Sequence, residues 1–339
     1  MNILVTGGCG FIGTNFLRHM LNESTGILIN LDKLTYAGNL QNLTSINEEY
    51  GGKRYFFEHA DICDPLLIPE LLDKYSIDIV VNFAAESHVD RSISEPDLFI
   101  RSNIQGTYNL LEAARRKGIK KFIQISTDEV YGSLGPEGRF TEKSPHAPNS
   151  PYAASKAAAD LLCRAFHKTY DFPVVITRCS NNYGPFQFPE KLIPLSFMRA
   201  LKDLPIPLYG SGENVRDWIH VNDHCRGIEL CINKADPGSV YNFGGGSEYK
   251  NLEIIRKILE IMGKPNDLIR FVKDRPGHDL RYAMDFSLAT RELGFMPEVE
   301  FAEGLEMTID WYLNNQDWVD CIQSGEYLRF TELWYKERA

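Results

Sequence analysis

The sequence predicts a doubly wound α/β fold, a parallel sheet with helices on both faces, and a smaller C-terminal α/β lobe. Three observations carry that prediction. Short β-prone apolar runs alternate with amphipathic stretches through residues 1–180, which implies parallel pairing and right-handed crossovers. The first run leads straight into a glycine-rich turn, and the second ends on an acid. After Arg178 the prolines multiply and the elements shorten, which marks a second body. The expected division is 1–180 plus 218–247 for the sheet domain, and 181–217 plus 248–339 for the lobe.

Composition fits such a fold. Of 339 residues, 43% are hydrophobic and 24% charged, an ordinary balance for a globular chain with a sizeable core. The net charge of -10 argues against a nucleic-acid footprint or an anionic membrane partner. No apolar run approaches the ~18 residues of a membrane-spanning helix. The N-terminus enters a strand without a charged leader, and the seven cysteines are odd in number with no Cys-x-x-Cys. Reduced thiols, no metal site and a cytoplasmic location are the expectation.

In chain order, Ile3 to Thr6 reads as a strand, followed by Gly7, Gly10 and Gly13 and a helix to about Asn22. The first glycine permits a tight turn, the second lets backbone approach a pyrophosphate, and the third lets helix pack on strand. A strand from Ile27 to Leu31 then ends in Asp32, placed to bind a ribose and to repel a 2′-phosphate. This is the fingerprint of a Rossmann sheet that holds NAD rather than NADP. Strands follow at Tyr55 to Glu58, with Asp61 and Ile62 at its end, and at Ile79 to Phe83, leading into Ala84-Ala85-Glu86. A helix is expected over 65–75 and a long one over 96–117, capped by Gly118. A strand from Phe122 to Ser126 precedes a loop over 132–151 and a helix opened by Ser150 and Pro151. Val174 to Thr177 is a sixth strand. Beyond it, short strands near 216–220 and 241–244 and helices near 252–262 and 301–313 complete the pattern.

Chemistry gathers at the carboxyl ends of parallel strands. Thr127, Asp128 and Glu129 stand at such an end. Tyr152 and Lys156 are four apart on the helix that follows, so they share a face. A free phenol titrates near 10. Bringing it to about 7 takes ~4 kcal/mol, which an ammonium one turn away and an oxidised nicotinamide together supply. Tyr152 is then a base for a substrate hydroxyl. Asp128 and Glu129 discriminate further, because oxidising an alcohol needs only the phenol, whereas expelling water needs a second base and an acid. The bland alternative is that Asp128 caps the strand end and Glu129 is a solvated loop charge.

These segments resemble the extended short-chain dehydrogenase/reductase family, and within it the 4,6-dehydratases of dTDP-glucose. The resemblance is carried by residues 7–13, 32–39, 84–92, 126–132, 152–156, 181–192 and 275–279. It implies tightly bound NAD, with hydride leaving C4 of the sugar and returning to C6. Tyr152 takes the O4 proton, Glu129 the C5 proton, Asp128 protonates the departing C6 hydroxyl, and Thr127 bonds the hydroxyl at C4. It implies cofactor contacts from Phe11, Ile12, Asp32, Lys33, Leu34, Thr35, Asp61, Ile62, Ala84, Ala85, Glu86, Ser102 and Asn182. Contacts to the nucleotide sugar are implied for His88, Asn181, Lys191, Leu192, Pro207, Leu208, Tyr209, Arg216, Asn251, Asp274, Arg275 and His278. It also implies a homodimer through helices 96–117 and 151–170, by way of Tyr108, Leu111, Leu161, Leu162 and Phe166. An epimerase or decarboxylase on the same fold would share Tyr152 and Lys156 without needing both carboxyls. A non-catalytic NAD-responsive protein would be expected to lose Tyr152 or Lys156.

Overall fold

The computed structural model describes residues 1–322. The end of the expected lobe, 323–339, lies outside the described residues. Among the described residues, twelve strands occur in chain order: β1 Asn2–Thr6, β2 Ile27–Asp32, β3 Tyr55–His59, β4 Ile79–Asn82, β5 Lys121–Thr127, β6 Val174–Cys179, β7 Asn181–Tyr183, β8 Ile206–Tyr209, β9 Val215–His220, β10 Val240–Phe243, β11 Glu248–Lys250 and β12 Ile269–Val272. Seven of them form one sheet in the order β10-β6-β5-β4-β1-β2-β3, with every neighbouring pair parallel. The order reverses between β1 and β4, which opens a crevice at their carboxyl ends.

Both faces of the sheet are covered, so its strands read as continuous apolar runs rather than alternating ones. Alternation shows in the packing instead. Ile3, Val5, Leu28, Val81 and Ile123 face the helices Phe11–Glu23 and Val221–Lys234. Leu4, Ile29, Val80 and Phe122 face the helices Leu67–Lys74, Thr107–Lys117 and Pro151–Tyr170. Each side chain of this size contributes roughly 1.5–3 kcal/mol on leaving water, which lets the sheet carry costly polar groups at its carboxyl edge.

Local signals act as expected at two helix ends. The Ser150 hydroxyl accepts from the Ala153 amide at 3.1 Å, a cap worth about 1 kcal/mol. Gly118 closes the 107–117 helix at φ 66°, a left-handed conformation suited to glycine.

The structure corrects three expectations. The helix over 96–117 is not regular: Ile100–Gly106 is a π-helix between Pro96–Phe99 and Thr107–Lys117. Only part of 218–247 returns to the sheet domain. The Val221–Lys234 helix and β10 do, but β9 pairs with β7 and β11 in a separate three-stranded sheet. Residues 287–295, expected in the lobe, sit on the main core through Ala289, Leu293 and Phe295. The lobe is built from that small sheet, the parallel β8–β12 pair and the helices Leu192–Leu201, Asn251–Ile261, Phe301–Asn314 and Gln316–Ile322. Tyr183, Phe197, Trp218, Ile254, Phe301 and Tyr312 are among its core.

Candidate active site

A cleft of about 300 Å³ runs along the carboxyl ends of β1, β2, β4, β5 and β6. It gathers Gly7, Gly10, Phe11, Ile12, Gly13, Asp32, Lys33, Thr35, Asp61, Ile62, Ala84, Ala85, Glu86 and Ser102 with Thr127, Asp128, Glu129, Tyr152, Lys156, Asn181, Asn182 and Lys191. Leu34 does not line it. Its amide donates to Asp32 Oδ1 at 2.8 Å from a left-handed backbone at φ 55°, so it shapes the turn around that acid.

One half of the cleft suits a dinucleotide. Gly7 is at φ 70°, and a Cβ there would lie 2.7 Å from the Ala84 amide. A Cβ on Gly13 would lie 2.3 Å from the Gly7 carbonyl. Between them the amides of Phe11 and Ile12 open a helix with no side-chain cap, a natural seat for phosphate. Asp32 holds one oxygen on the Cys9 amide at 2.9 Å and the other on Leu34, leaving lone pairs for ribose hydroxyls. Lys33 reaches Ser102 Oγ at 3.3 Å and Asp61 at 3.6 Å. At the far end, the buried Ser126 Oγ, Ser180 Oγ and Gln187 Oε1 have no partner among the described residues. These atoms fit the polar head of a nicotinamide.

The other half carries the acid–base groups. Thr127 accepts from the Glu129 amide at 3.3 Å and donates to Asp128 Oδ1 at 3.2 Å, which caps the short 3-10 turn Asp128–Tyr131. Asp128 is 2% exposed, and its Oδ2 lacks a partner among the described residues. Burial, then the Glu129 charge, hold Asp128 well above the usual carboxylate range. Burial also raises Glu129, but Arg275, Arg216 and Lys191 pull it back. Both carboxyls are thus raised, but Asp128 further, because three cations oppose the rise of Glu129.

Tyr152 and Lys156 are both buried on the 151–170 helix. Lys156 Nζ donates to the Ile125 carbonyl at 2.6 Å. Burial lowers this ammonium, and Asp160 one turn on opposes the shift. The expectation that Lys156 lowers the Tyr152 phenol is not met by the side chains alone. Burial and then Glu129 push the phenol well above 10, and the Thr127 hydroxyl is what pulls it back.

Of the residues expected at the nucleotide sugar, Asn181 and Lys191 line the cleft, and the others stand outside its lining. Arg216 is 5% exposed, donates to the carbonyls of Val215 and Asp279, and stacks 4.3 Å from the centre of the Tyr282 ring. Lys191 donates to the Ser87 carbonyl at 2.8 Å, and His88 lies 4.0 Å from Glu190. His278 pairs with Asp274 at 2.6 Å and meets Tyr209 edge-on. Asn251 opens the 251–261 helix, its amide donating to the Asn214 carbonyl. Pro207 sits on β8, Leu192 packs on two lobe cores, and the Leu208 side chain belongs wholly to one of them.

Asn103 escaped the sequence reading. It stands in the π-helix, where one extra residue per turn re-aims side chains. Its Oδ1 accepts from the Glu86 amide at 2.8 Å, and its Nδ2 donates to the Glu86 carbonyl and to Ser155 Oγ, which donates to the Tyr152 carbonyl. It ties the cofactor-side loop to the Tyr152 helix. No local pattern marks an asparagine inside a helix for such a role. His224 is similar: buried and lowered to about 3 by that burial, its Nδ1 donates to Asn182 Oδ1 at 2.9 Å.

The family profile described as GDP-mannose 4,6 dehydratase matches residues 4–308. The chain belongs to the GDP-mannose 4,6 dehydratase family. Within this dehydratase family, it is 49% identical over 342 residues to a dTDP-glucose 4,6-dehydratase of Xanthomonas campestris pv. campestris (strain B100), covering 96% of each chain. Among solved structures it is similar to a dTDP-glucose 4,6-dehydratase of Streptomyces venezuelae with NAD bound, at TM-score 0.91 and 48% identity over 94% of this chain and 98% of that one. A Thermus thermophilus UDP-glucose 4-epimerase with NAD shares the fold at TM-score 0.85 and 30% identity, over 93% and 100%. The resemblance read from separated motifs is borne out, and dehydratase family membership extends across nearly the whole chain.

Proposed function

We propose that this protein converts dTDP-glucose to dTDP-4-keto-6-deoxyglucose and water with NAD as a retained cofactor. The observation that carries the reading is the pair of adjacent carboxyls, Asp128 and Glu129, lining the cleft beside Tyr152, with burial raising both and nearby cations restraining only the rise of Glu129 strongly. The dTDP-glucose 4,6-dehydratase relatives, and the NAD bound in the solved one, support the substrate and cofactor.

The amides of Phe11 and Ile12 would hold the pyrophosphate, Asp32 the adenosine ribose, and Tyr152 with Lys156 the nicotinamide ribose. Bound NAD+ supplies a hydride acceptor for C4, the same hydride for C6, and a positive charge that favours the phenolate. Tyr152 takes the proton from the C4 hydroxyl, which Thr127 orients. The resulting ketone acidifies C5–H, so Glu129 removes that proton only after oxidation. Asp128, kept protonated by burial, gives its proton to the C6 hydroxyl, which leaves as water. Glu129 exchanges that proton with solvent and then protonates C5 as C6 is reduced. Burial of Asp128, Tyr152 and Lys156 keeps bulk water from the intermediate. Arg216, Arg275 and Lys191 offset the diphosphate charge. A 4-epimerase gains nothing from the carboxyl pair.

The enzyme works as a homodimer in the cytoplasm. Leu98, Ile100, Tyr108, Leu161 and Tyr170, all at least 39% exposed, are large apolar or aromatic side chains within the two segments that the resemblance assigns to the dimer, which supports it. Leu111 and Phe166, expected there too, are core. Five cysteines packed singly as buried thiols support the compartment. The test is incubation with dTDP-glucose and the alkali-induced ultraviolet absorbance of a 4-keto sugar. Its absence with every hexose nucleotide would overturn the reading.

A further inference from the structure

Asp90 sits in the first turn of the short helix Val89–Ser94, which follows β4 in the sheet domain, and it is 4% exposed. Both of its oxygens are engaged by the lobe. Oδ1 accepts from Arg275 Nη1 at 3.0 Å and Oδ2 from the Tyr209 hydroxyl at 2.7 Å. The Arg275 guanidinium also lies 5.9 Å from the centre of the Tyr209 ring. A single carboxylate therefore gathers two lobe groups across the domain boundary. Burial alone would raise Asp90, but Arg275, His88 and the Tyr209 hydroxyl outweigh it and keep it ionised.

Arg275 faces two carboxylates, Asp90 first and Glu129 second. It bonds Asp90 and feels Glu129 only through space; a guanidinium paired directly to Glu129 would quench the base. The grip on Asp90 also leaves Arg275 Nε buried without a partner among the described residues, a costly state that an incoming oxygen relieves.

We propose that Asp90 is a positioning residue: it clamps Arg275 and Tyr209 so that Arg275 meets the diphosphate of the nucleotide sugar and stays off Glu129. This rests on the reading of the substrate given above. A plain interdomain strut would affect melting but not nucleotide affinity, so the readout is dTDP binding by calorimetry on the full-length protein with its NAD. Asp90→Asn keeps the shape and loses the charge. Its Kd for dTDP should rise about tenfold or more, as expected for a charge-assisted bond, with NAD content unchanged. In a double-mutant cycle, Asp90→Asn with Arg275→Gln should bind dTDP no more weakly than Arg275→Gln alone. A wild-type Kd in Asp90→Asn, or losses that simply add, would overturn the proposal. Tyr209→Phe removes one arm of the clamp. It reads the same effect if Asp90→Asn does not fold, and a wild-type Kd there would count equally against the clamp. Wild-type protein that fails to bind dTDP would remove the substrate reading and this inference together.

Discussion

Replacing Glu129 by Gln tests the division of labour at the tip of β5. The amide cannot take the C5 proton, and a positioned general base is worth about 10²–10⁴ in rate, or ~2.7–5.4 kcal/mol. The structure separates this loss from a binding loss. Glu129 is the carboxylate that Arg275, Arg216 and Lys191 pull back toward ionisation. Neutralising it removes a negative charge that a diphosphate would otherwise feel, so dTDP should bind as well as before or better. The expectation is a kcat lower by that factor, measured as 4-keto product from dTDP-glucose, with KM unchanged or reduced. Deuterium uptake at C5 from heavy water should slow by the same factor. A kcat within about threefold of wild type would refute the base assignment, since no general base is worth so little. A fall in kcat matched by a weaker Kd for dTDP would move Glu129 from catalysis to binding.

Three further expectations follow from the same structure. Asp128, raised by burial and by Glu129, must be protonated to act, so kcat should fall as pH climbs through its titration, and Asp128→Asn should flatten that alkaline limb in a pH–rate profile while lowering the rate about 10²–10⁴-fold. Leu161→Glu puts a charge on an apolar face where Leu161 is 54% exposed, and should shift the protein to monomer in analytical ultracentrifugation while leaving the monomer folded. Burial lowers His224 from 6.5 to about 3 and His220 to about 4. The unfolded chain binds those protons first, so stability is complete above pH 6.5 and drains away below it. His224 alone would account for about 5 kcal/mol by pH 3, and His224→Gln should flatten the slope in denaturant titrations between pH 6.5 and 4.

The sheet domain was legible because each of its signals is local. The spacing of Gly7, Gly10 and Gly13, the acid at Asp32 and the Ser150–Pro151 helix start each fix a backbone event within a few residues. Asp128, Glu129, Tyr152 and Lys156 were legible for a related reason: parallel topology brings strand ends together, so adjacency in the fold follows from strand order. What stayed hidden depends on contacts between distant segments. Asn103 acts only because a π turn rotates it onto Glu86 and Ser155. Asp90 matters through two lobe residues more than a hundred positions away. The lobe boundary was misplaced for the same cause. β9 and residues 287–295 choose their sheet and core by tertiary packing, which their short apolar patterns do not encode. Spacing places Lys156 beside the Tyr152 phenol but does not reveal that its ammonium turns to the Ile125 carbonyl, so the side chains alone leave the phenol raised.

The central claim is that one buried site oxidises C4, expels water across C5 and C6, and reduces C6 without releasing its reducing equivalent. Turnover of dTDP-glucose carrying deuterium at C4, followed by NMR of the product, tests it most directly. The account predicts a 4-keto-6-deoxy sugar with that deuterium on C6 and hydrogen from solvent at C5. Deuterium retained at C4 in a product that still carries its C6 hydroxyl would contradict it.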